Sequence, residues 1–142
     1  MPIIGFNFDK IQVEKLKNPS GKIEIKNNLG IKDVELEKIQ LEGVNEVIKF
    51  IFEFSLIYEP EIGNIIINGH LLYSDEQKKM KEIVKDWKKE KKMQPQLLKN
   101  LLNNVMQRCH VKSLVLAQEV NLPTHITLPT IMEVKPDQTY IG

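Results

Sequence analysis

The stretch VIKFIFEFSLIYEPEIGNIIINGHLLY, residues 47–73, decides the fold. Its first half carries an apolar side chain at every second position, as in a β-strand whose alternate residues share one face. These positions are Ile48, Phe50, Phe52, Phe54, Leu56 and Tyr58. EPEIG (59–63) turns the chain, and NIIINGHLLY (64–73) alternates again, with Ile66 and Leu72 on its second face. The pattern predicts a central hairpin whose second strand needs cover on both faces.

Residues 3–16 predict an earlier strand with a change of phase. Ile4, Phe6 and Phe8 fall on one face, whereas Ile11 and Val13 fall on the other. A slip of this kind inside one apolar run indicates a β-bulge near Asp9–Lys10, or a break between two strands.

A second early strand follows a turn. KNPSG (17–21) combines four residue types that favour turns. The next stretch, 22–43, reads as one long irregular strand or two short ones, with a turn or bulge around Asn27–Gly30. Together with the central hairpin, this predicts four strands over about residues 3–73.

The chain then changes to helical periodicity. Ser74 with Gln77 predicts a capping box at the start of a first helix. A narrow apolar stripe follows at helical spacing: Met80, Ile83, Val84 and Trp87. The helix ends in lysines, the charge that a helix dipole favours there.

Pro95 suits the start of a second helix, of about 25 residues and nearly 40 Å. One face is apolar, with Leu97, Leu98, Leu101, Leu102, Val105, Met106 and Cys109, followed by Ser113, Leu114, Leu116, Ala117 and Val120. This length exceeds what one small sheet needs and suggests packing against a second copy. Strands followed by helices, at about 74–120, predict an α+β fold: a four-stranded antiparallel sheet followed by two C-terminal helices, the second long.

The last part of the chain is read as an extended proline segment, 121–132, and a loose tail, 133–142. The segment contains NLPTHITLPTI, in which Pro123 ends the helix and Pro129 prevents helix from re-forming. We therefore expect one domain over residues 1–142.

Composition argues against several classes of protein. The chain has 142 residues, a net charge of +1 and one cysteine, Cys109, so neither a disulfide nor a cysteine-rich metal site is expected. No apolar run is long enough to span a membrane, and the N-terminus does not resemble a signal peptide, so we expect a cytoplasmic protein. His70, His110 and His125 lack metal-ligand spacing. Without a phosphate-binding loop or a nucleophile motif, we expect no enzyme, no metal and no cofactor.

The lysine-rich first helix leaves two readings open. Residues 74–93 hold eight lysines against five acidic residues. This excess could bind nucleic acid weakly, but the one aromatic residue, Trp87, lies on the apolar stripe and cannot stack on bases. A solvated helix face is favoured, and we do not expect nucleic acid as a partner.

The predicted elements carry more apolar surface than one small sheet conceals. One explanation is an interface between copies in a structural homo-oligomer. The other is a groove that takes extended, apolar polypeptide.

The order of these elements resembles the SecB family of preprotein-binding chaperones. The resemblance rests on the hairpin 47–73, on the two helices, and on a long helix running into LPTHITLPTIM (122–132). It implies a holdase for unfolded polypeptides, possible work in protein export, and a homotetramer built as a dimer of dimers. The near-neutral charge and lysine-rich helix depart from the acidic bacterial members, so a partner in translocation or a toxin–antitoxin system stays open.

The resemblance also implies peptide-binding residues. Ile65, Ile67 and Gly69 match the groove-lining positions of the fourth strand, and Leu101 and Val105 match the groove floor on the long helix. The C-terminal apolar stretch supplies three more: Leu122, Ile126 and Leu128.

Overall fold

The computed structural model describes residues 3–41 and 43–126. Four strands come first and two helices follow: β1 (Ile3–Lys15), β2 (Glu24–Leu41), β3 (Val44–Glu59), β4 (Gly63–Tyr73), α1 (Gln77–Glu90) and α2 (Pro95–Glu119). All paired strands are antiparallel, in the order β1-β4-β3-β2. The predicted α+β fold is confirmed.

One face of the sheet, here called the inner face, carries the core. The alternating residues of β3 and β4 are fully buried there, because α1 and α2 pack against this face. The buried side chains of the sheet include Ile48, Phe50, Phe52, Phe54, Leu56, Tyr58, Ile65, Ile67 and Leu71. The alternation in the sequence therefore identified the core of the middle strands correctly.

β1 contains the expected bulge, but its consequence differs from the prediction. The register shifts between Phe8 and Lys10, and on either side Phe8 pairs with Gly69 and Ile11 pairs with Ile67. Both partners lie on the buried side of β4, so Ile11 lies on the same face as Phe8. The prediction that Ile11 and Phe8 lie on opposite faces was wrong. The bulge adds one residue to β1, and Ile11 therefore lies on the same face as Phe8.

β2 is one long strand rather than two short ones. Its pairing with β3 runs without a break from Glu24 to Ile31 and shifts between Ile31 and Asp33. The predicted irregularity at Asn27–Gly30 was therefore placed too early. Val34, after the shift, is buried on the inner face opposite Phe50.

α1 begins at Gln77, so the predicted capping box at Ser74 was wrong. Glu76 occupies the cap position and makes no capping hydrogen bond with its side chain. Asp75 accepts hydrogen bonds from the Glu76 N–H at 2.7 Å and from the Tyr73 hydroxyl at 2.9 Å. These bonds stabilise the carboxylate and lower the pKa of Asp75. The hydrogen bond from Tyr73 to Asp75 therefore ties the start of α1 to the end of β4.

α2 starts at Pro95 as predicted and spans 25 residues. It buries a stripe at four-residue steps: Leu97, Leu101, Val105, Cys109, Ser113 and Ala117. The predicted face was broader and included Met106, which is 40% exposed. Residues four apart do not lie directly above one another on a helix with 3.6 residues per turn, so the buried stripe winds slowly around α2. A prediction of one straight apolar face therefore assigns residues beside the stripe, such as Met106, to the wrong side.

α2 ends at Glu119, and the chain then turns back toward the sheet. Asn121 adopts a left-handed conformation, φ 57°, and the Leu122 N–H donates to the Ala117 carbonyl at 2.8 Å. Of the predicted proline segment, 121–132, the structure describes 121–126. Leu128 and the predicted tail, 133–142, lie outside the described residues.

Among the described residues, no helix has the length and apolar character needed to cross a membrane.

Candidate peptide-binding site

The two helices leave the flanking strands of the inner face partly uncovered. α1 packs against β2 and β3. α2 packs against β2, β3 and β4. The apolar side chains of the flanking strands, such as Phe6, Phe8 and Leu29, are accordingly only half-buried.

A shallow hollow of about 550 Å³ lies between β1 and α2, and we call it the α2–β1 groove. Phe8 lines it from the sheet; from the helix come Gln107, Arg108, Val111, Lys112 and Val115. Val111 is 65% exposed and Val115 is 48% exposed. Two β-branched apolar residues one helical turn apart thus lie exposed on α2 outside its buried stripe, where charged residues are the norm.

Aromatic packing gives the groove a rigid base. Phe6 contacts Phe8 edge-on at 5.2 Å between ring centroids and contacts buried Phe52 at 5.3 Å. The Arg108 guanidinium lies 4.6 Å from the Phe6 ring centroid, a cation–π contact. Phe8 forms an apolar floor of the groove, and Arg108 and Lys112 form a positive rim.

The groove runs beside a free strand edge. Within the described chain β1 pairs with β4 alone, so its other edge presents backbone N–H and C=O groups without sheet partners. Ile11, 40% exposed, continues the apolar surface along this strand. An apolar hollow beside an unpaired edge can bind an extended chain through both backbone and side chains.

Most residues implied by the SecB resemblance are not at this surface. Ile65, Ile67, Leu101 and Val105 have no solvent exposure and belong to the core between the sheet and the helices. A client could touch them only if α2 moved away from the sheet. In this structure they support the groove from below.

Gly69 is also buried, and its lack of a side chain has a packing reason. A Cβ at this position would collide with the Asn7 carbonyl oxygen and lie 2.6 Å from Phe52 Cζ. Gly69 therefore lets β1 approach and lets the Phe52 ring lie across β4.

The two remaining described positions have different environments. Leu122 is buried, with Cδ2 3.3 Å from the place where a Cβ on Gly63 would lie. Ile126 is 42% exposed. They belong to a segment, residues 121–126, that we call the clasp segment because it returns from α2 to the sheet.

Three contacts hold the clasp segment. The Tyr58 hydroxyl donates to the Pro123 carbonyl at 2.7 Å, and Leu122 packs beside Gly63. His125 faces His110 of α2, with Nε2 of His125 against Nδ1 of His110. The clasp segment therefore connects α2 with the inner face of β3 and β4.

The histidine pair is the titratable cluster that sequence reasoning missed. The ring centroids of His110 and His125 are 4.7 Å apart, and His110 also contacts Phe54 at 5.3 Å. Burial lowers the pKa of both rings, and the charge of His110 lowers that of His125 further. Fifteen residues separate them, so no local spacing rule reveals the pair.

His70 lies in a different environment, on the outer face of the sheet. Its Nδ1 is 2.7 Å from Asp9 Oδ2, and its Nε2 is 3.2 Å from Asn7 Nδ2. The outer face carries further polar pairs, such as Gln12 with Asn64. It is therefore the less apolar of the two faces and the weaker candidate for binding apolar chain.

The charged residues of α1 are distributed unevenly between two hollows. A hollow over Leu36 and Val84 is bordered by four lysines and by no acidic residue: Lys81, Lys85, Lys88 and Lys89. The acidic residues Glu82 and Asp86 border a separate hollow near Tyr73, which Lys79 and Lys92 also line. A count along the sequence could not show this distribution, because it depends on which flank faces β2.

Two observations concern metals and nucleophiles. In residues 3–41 and 43–126, no three His, Cys, Asp or Glu side chains are grouped to hold a metal ion. Cys109 is fully buried, and burial raises the pKa of its thiol to about 12. A thiol in this state is a poor nucleophile.

Comparison of the chain with known protein families, with curated proteins and with solved structures finds no match. The described residues form an α+β fold with an apolar groove beside a free strand edge.

Proposed function

We propose that this chain is a non-catalytic, cytoplasmic holdase that binds extended, apolar polypeptide in the α2–β1 groove. The observation that carries the proposal is the pair Val111 and Val115, which stand exposed over Phe8 beside the unpaired edge of β1. Contiguous exposed apolar surface is a feature of binding sites for other chains.

Binding would use two sets of contacts. The free edge of β1 can accept a client strand through backbone hydrogen bonds, which do not depend on client sequence. Every second client side chain then points toward the inner face, where Phe8 and Ile11 lie. Arg108 and Lys112 on the rim favour apolar clients with acidic neighbours.

The resemblance to the SecB family supports the same function. The described order, four antiparallel strands followed by two helices with a long second helix, agrees with the architecture that the family has. We extend the proposal to a dimer of dimers and to a partner in protein export or a toxin–antitoxin system. Neither nucleotide nor metal is needed for capture.

The test is suppression of aggregation of a reduced, unfolded substrate followed by light scattering. We compare wild type with the double variant Val111→Ser/Val115→Ser and with a control, Leu16→Ser, which removes an exposed apolar side chain outside the groove. Loss of two apolar contacts should weaken client affinity roughly tenfold in the double variant. The control should match wild type.

Sedimentation of the same proteins separates the groove from an interface between copies. The proposal requires that the double variant keep the wild-type assembly and lose client. Dissociation of the assembly with client binding retained would show a structural homo-oligomer instead, and no suppression by wild type would refute the holdase.

A second candidate is weak binding of nucleic acid by the four-lysine hollow of α1. It is favoured by the grouping of Lys81, Lys85, Lys88 and Lys89 around a hollow that no acidic residue borders. It lacks a stacking platform there, because Trp87 is buried in the core. The candidate predicts salt-sensitive binding of single-stranded RNA that Lys85→Gln/Lys88→Gln abolishes, and no binding at low salt would exclude it.

A further inference from the structure

We propose that His110 and His125 form a pH-operated clasp that holds residues 121–126 against the sheet near neutral pH and releases them in acid. The opening itself is independent of the holdase proposal. Its consequence for client binding rests on that proposal.

The two rings meet edge to edge. Each ring nitrogen lies roughly one bond length from its ring centroid, so adjacent nitrogens and a 4.7 Å centroid separation place the rings head to head. The planes differ by 22°. This is the arrangement of an N–H···N hydrogen bond, in which a single proton lies between the two nitrogens.

With the Asn27 amide in the orientation of this structure, His110 is the ring that donates. The Asn27 side-chain nitrogen lies 3.4 Å from His110 Nε2, and an amide nitrogen can only donate. Neutral His110 then carries its proton on Nδ1 and donates to His125 Nε2. The chain Asn27 → His110 → His125 links β2, α2 and the clasp segment.

Protonation of both rings breaks this chain. A proton on His110 keeps the bond between the rings and turns Nε2 into a donor that faces the Asn27 amide. A further proton on His125 turns its Nε2 into a donor that faces the donor on His110. Two cationic rings at this separation would add direct charge repulsion.

No carboxylate among the described residues compensates such a charge. Burial lowers the pKa of His110, and burial and the charge of His110 lower that of His125; no carboxylate is among these causes. Cys109 precedes His110 on α2, and Tyr58 of β3 bonds to Pro123 of the clasp segment; burial raises the pKa of both groups, so both are neutral at working pH. From β2 the facing group is Asn27, and from β3 it is Phe54. Arg108, two residues before His110 on α2, lies over the Phe6 ring. The clasp segment itself, NLPTHI, carries no other charge.

The sign of the pH dependence follows. Both histidines have a lower pKa in the closed state than the ordinary 6.5, because burial disfavours their charged form. The open state therefore binds more protons below 6.5, and the closed state loses stability as pH falls from that value toward the closed-state pKa. The opening equilibrium changes by up to about a hundredfold per pH unit if both rings are protonated.

Opening would enlarge the apolar surface available to a client. Leu122 is buried when the clasp segment is closed, and the Tyr58 hydroxyl is bonded to Pro123. Release exposes Leu122 and the inner face around Tyr58. We therefore expect acid to strengthen binding of extended apolar peptide.

The test is amide hydrogen exchange of Leu122, whose N–H bonds to the Ala117 carbonyl. Rates are divided by the intrinsic rate at each pH. In wild type the protection should be constant above about pH 7 and should fall at least tenfold by about pH 5. His125→Gln and His110→Gln each keep one buried ring and should show a clearly smaller fall than wild type. His70→Gln, which changes the outer-face histidine, should behave as wild type.

Two results would overturn the clasp: pH-independent protection of Leu122 in wild type, or a fall in His125→Gln as large as that in wild type. Titration of the imidazoles by NMR in wild type gives a second measurement that needs no variant. A pKa above 6.5 for both rings would also refute the clasp.

Binding of a labelled apolar peptide at the same two pH values distinguishes the two proposals. A fall in protection without peptide binding at either pH keeps the clasp and rejects the holdase. Peptide binding with pH-independent protection keeps the holdase and rejects the clasp.

Discussion

The hydroxyl of Tyr58, in the middle strand β3, donates a 2.7 Å hydrogen bond to the backbone carbonyl of Pro123. The two residues are 65 apart in sequence, and the bond joins the sheet to the segment that leaves α2. Pro123 lacks an N–H, so its carbonyl is the one backbone group through which it can be held. The return of the chain to the sheet thus depends on a side chain from the core.

Tyr58→Phe tests this bond. Loss of one hydrogen bond should destabilise the clasp segment by about 1 kcal/mol and reduce the exchange protection of Leu122 about fivefold. Tyr73→Phe is the matched control, since it removes a comparable bond, to Asp75, at the start of α1. Equal effects of both variants on Leu122 protection would contradict the assignment.

Gly69→Ala tests the close approach of β1 to β4. The added methyl group would collide with the Asn7 carbonyl oxygen and with the Phe52 ring, so we expect a loss of about 3 kcal/mol or more in the free energy of unfolding. Gly30→Ala is the control in the same sheet, because a Cβ there meets nothing within 4 Å, and it should change stability by less than about 0.5 kcal/mol. Urea unfolding measures both. A neutral Gly69→Ala would show that β1 can shift.

Ser113→Ala should stabilise the protein. Ser113 is fully buried on the α2 stripe, and its hydroxyl has no hydrogen-bond partner among the described residues. Removing an unsatisfied buried hydroxyl should raise the free energy of unfolding by about 1 kcal/mol. Ala117→Ser makes the reverse change one turn further along the same stripe and should lower stability by a similar amount. A destabilised Ser113→Ala would reveal a partner for the hydroxyl.

Cys109 should be chemically inert in the folded protein. The thiolate is the reactive form, and a thiol pKa of about 12 leaves roughly one thiolate in ten thousand at pH 8. A thiol reagent such as DTNB should therefore react only on unfolding. Val111→Cys in a Cys109→Ala background places a thiol at an exposed position of the same helix and should react at least about a hundredfold faster. Similar rates would mean that the core around Cys109 opens readily.

The strands and helices followed from local patterns. The alternation at Phe50, Phe52 and Phe54 predicted a strand with one buried face, because successive side chains in a strand point to opposite sides. The spacing of Met80, Val84 and Trp87 predicted the buried side of α1 for the corresponding reason in a helix. Such periods depend on backbone geometry alone, so they can be read without knowing what covers each face.

The residues of the candidate site were predicted from the sequence much less well than the strands and helices. The apolar surplus indicated a binding surface, but residues inferred from the SecB resemblance, such as Ile67 of β4 and Leu101 of α2, are buried in the core between the sheet and the helices. The groove residues Val111 and Val115 carried a faint signal, two apolar residues one turn apart outside the main stripe. Whether such a pair faces solvent or a neighbour depends on how α2 crosses the sheet.

The sequence by itself determined the α+β class, the order of the elements and the buried faces of the middle strands, because these arise from side-chain periods over a few residues. Only the tertiary structure decided that the bulge at Asp9 returns Ile11 to the face of Phe8, and that His110 meets His125. The bulge acts through its pairing partner, and the histidines meet through the return of the chain from α2 to the sheet. Both depend on contacts between residues distant in sequence, which no local pattern specifies.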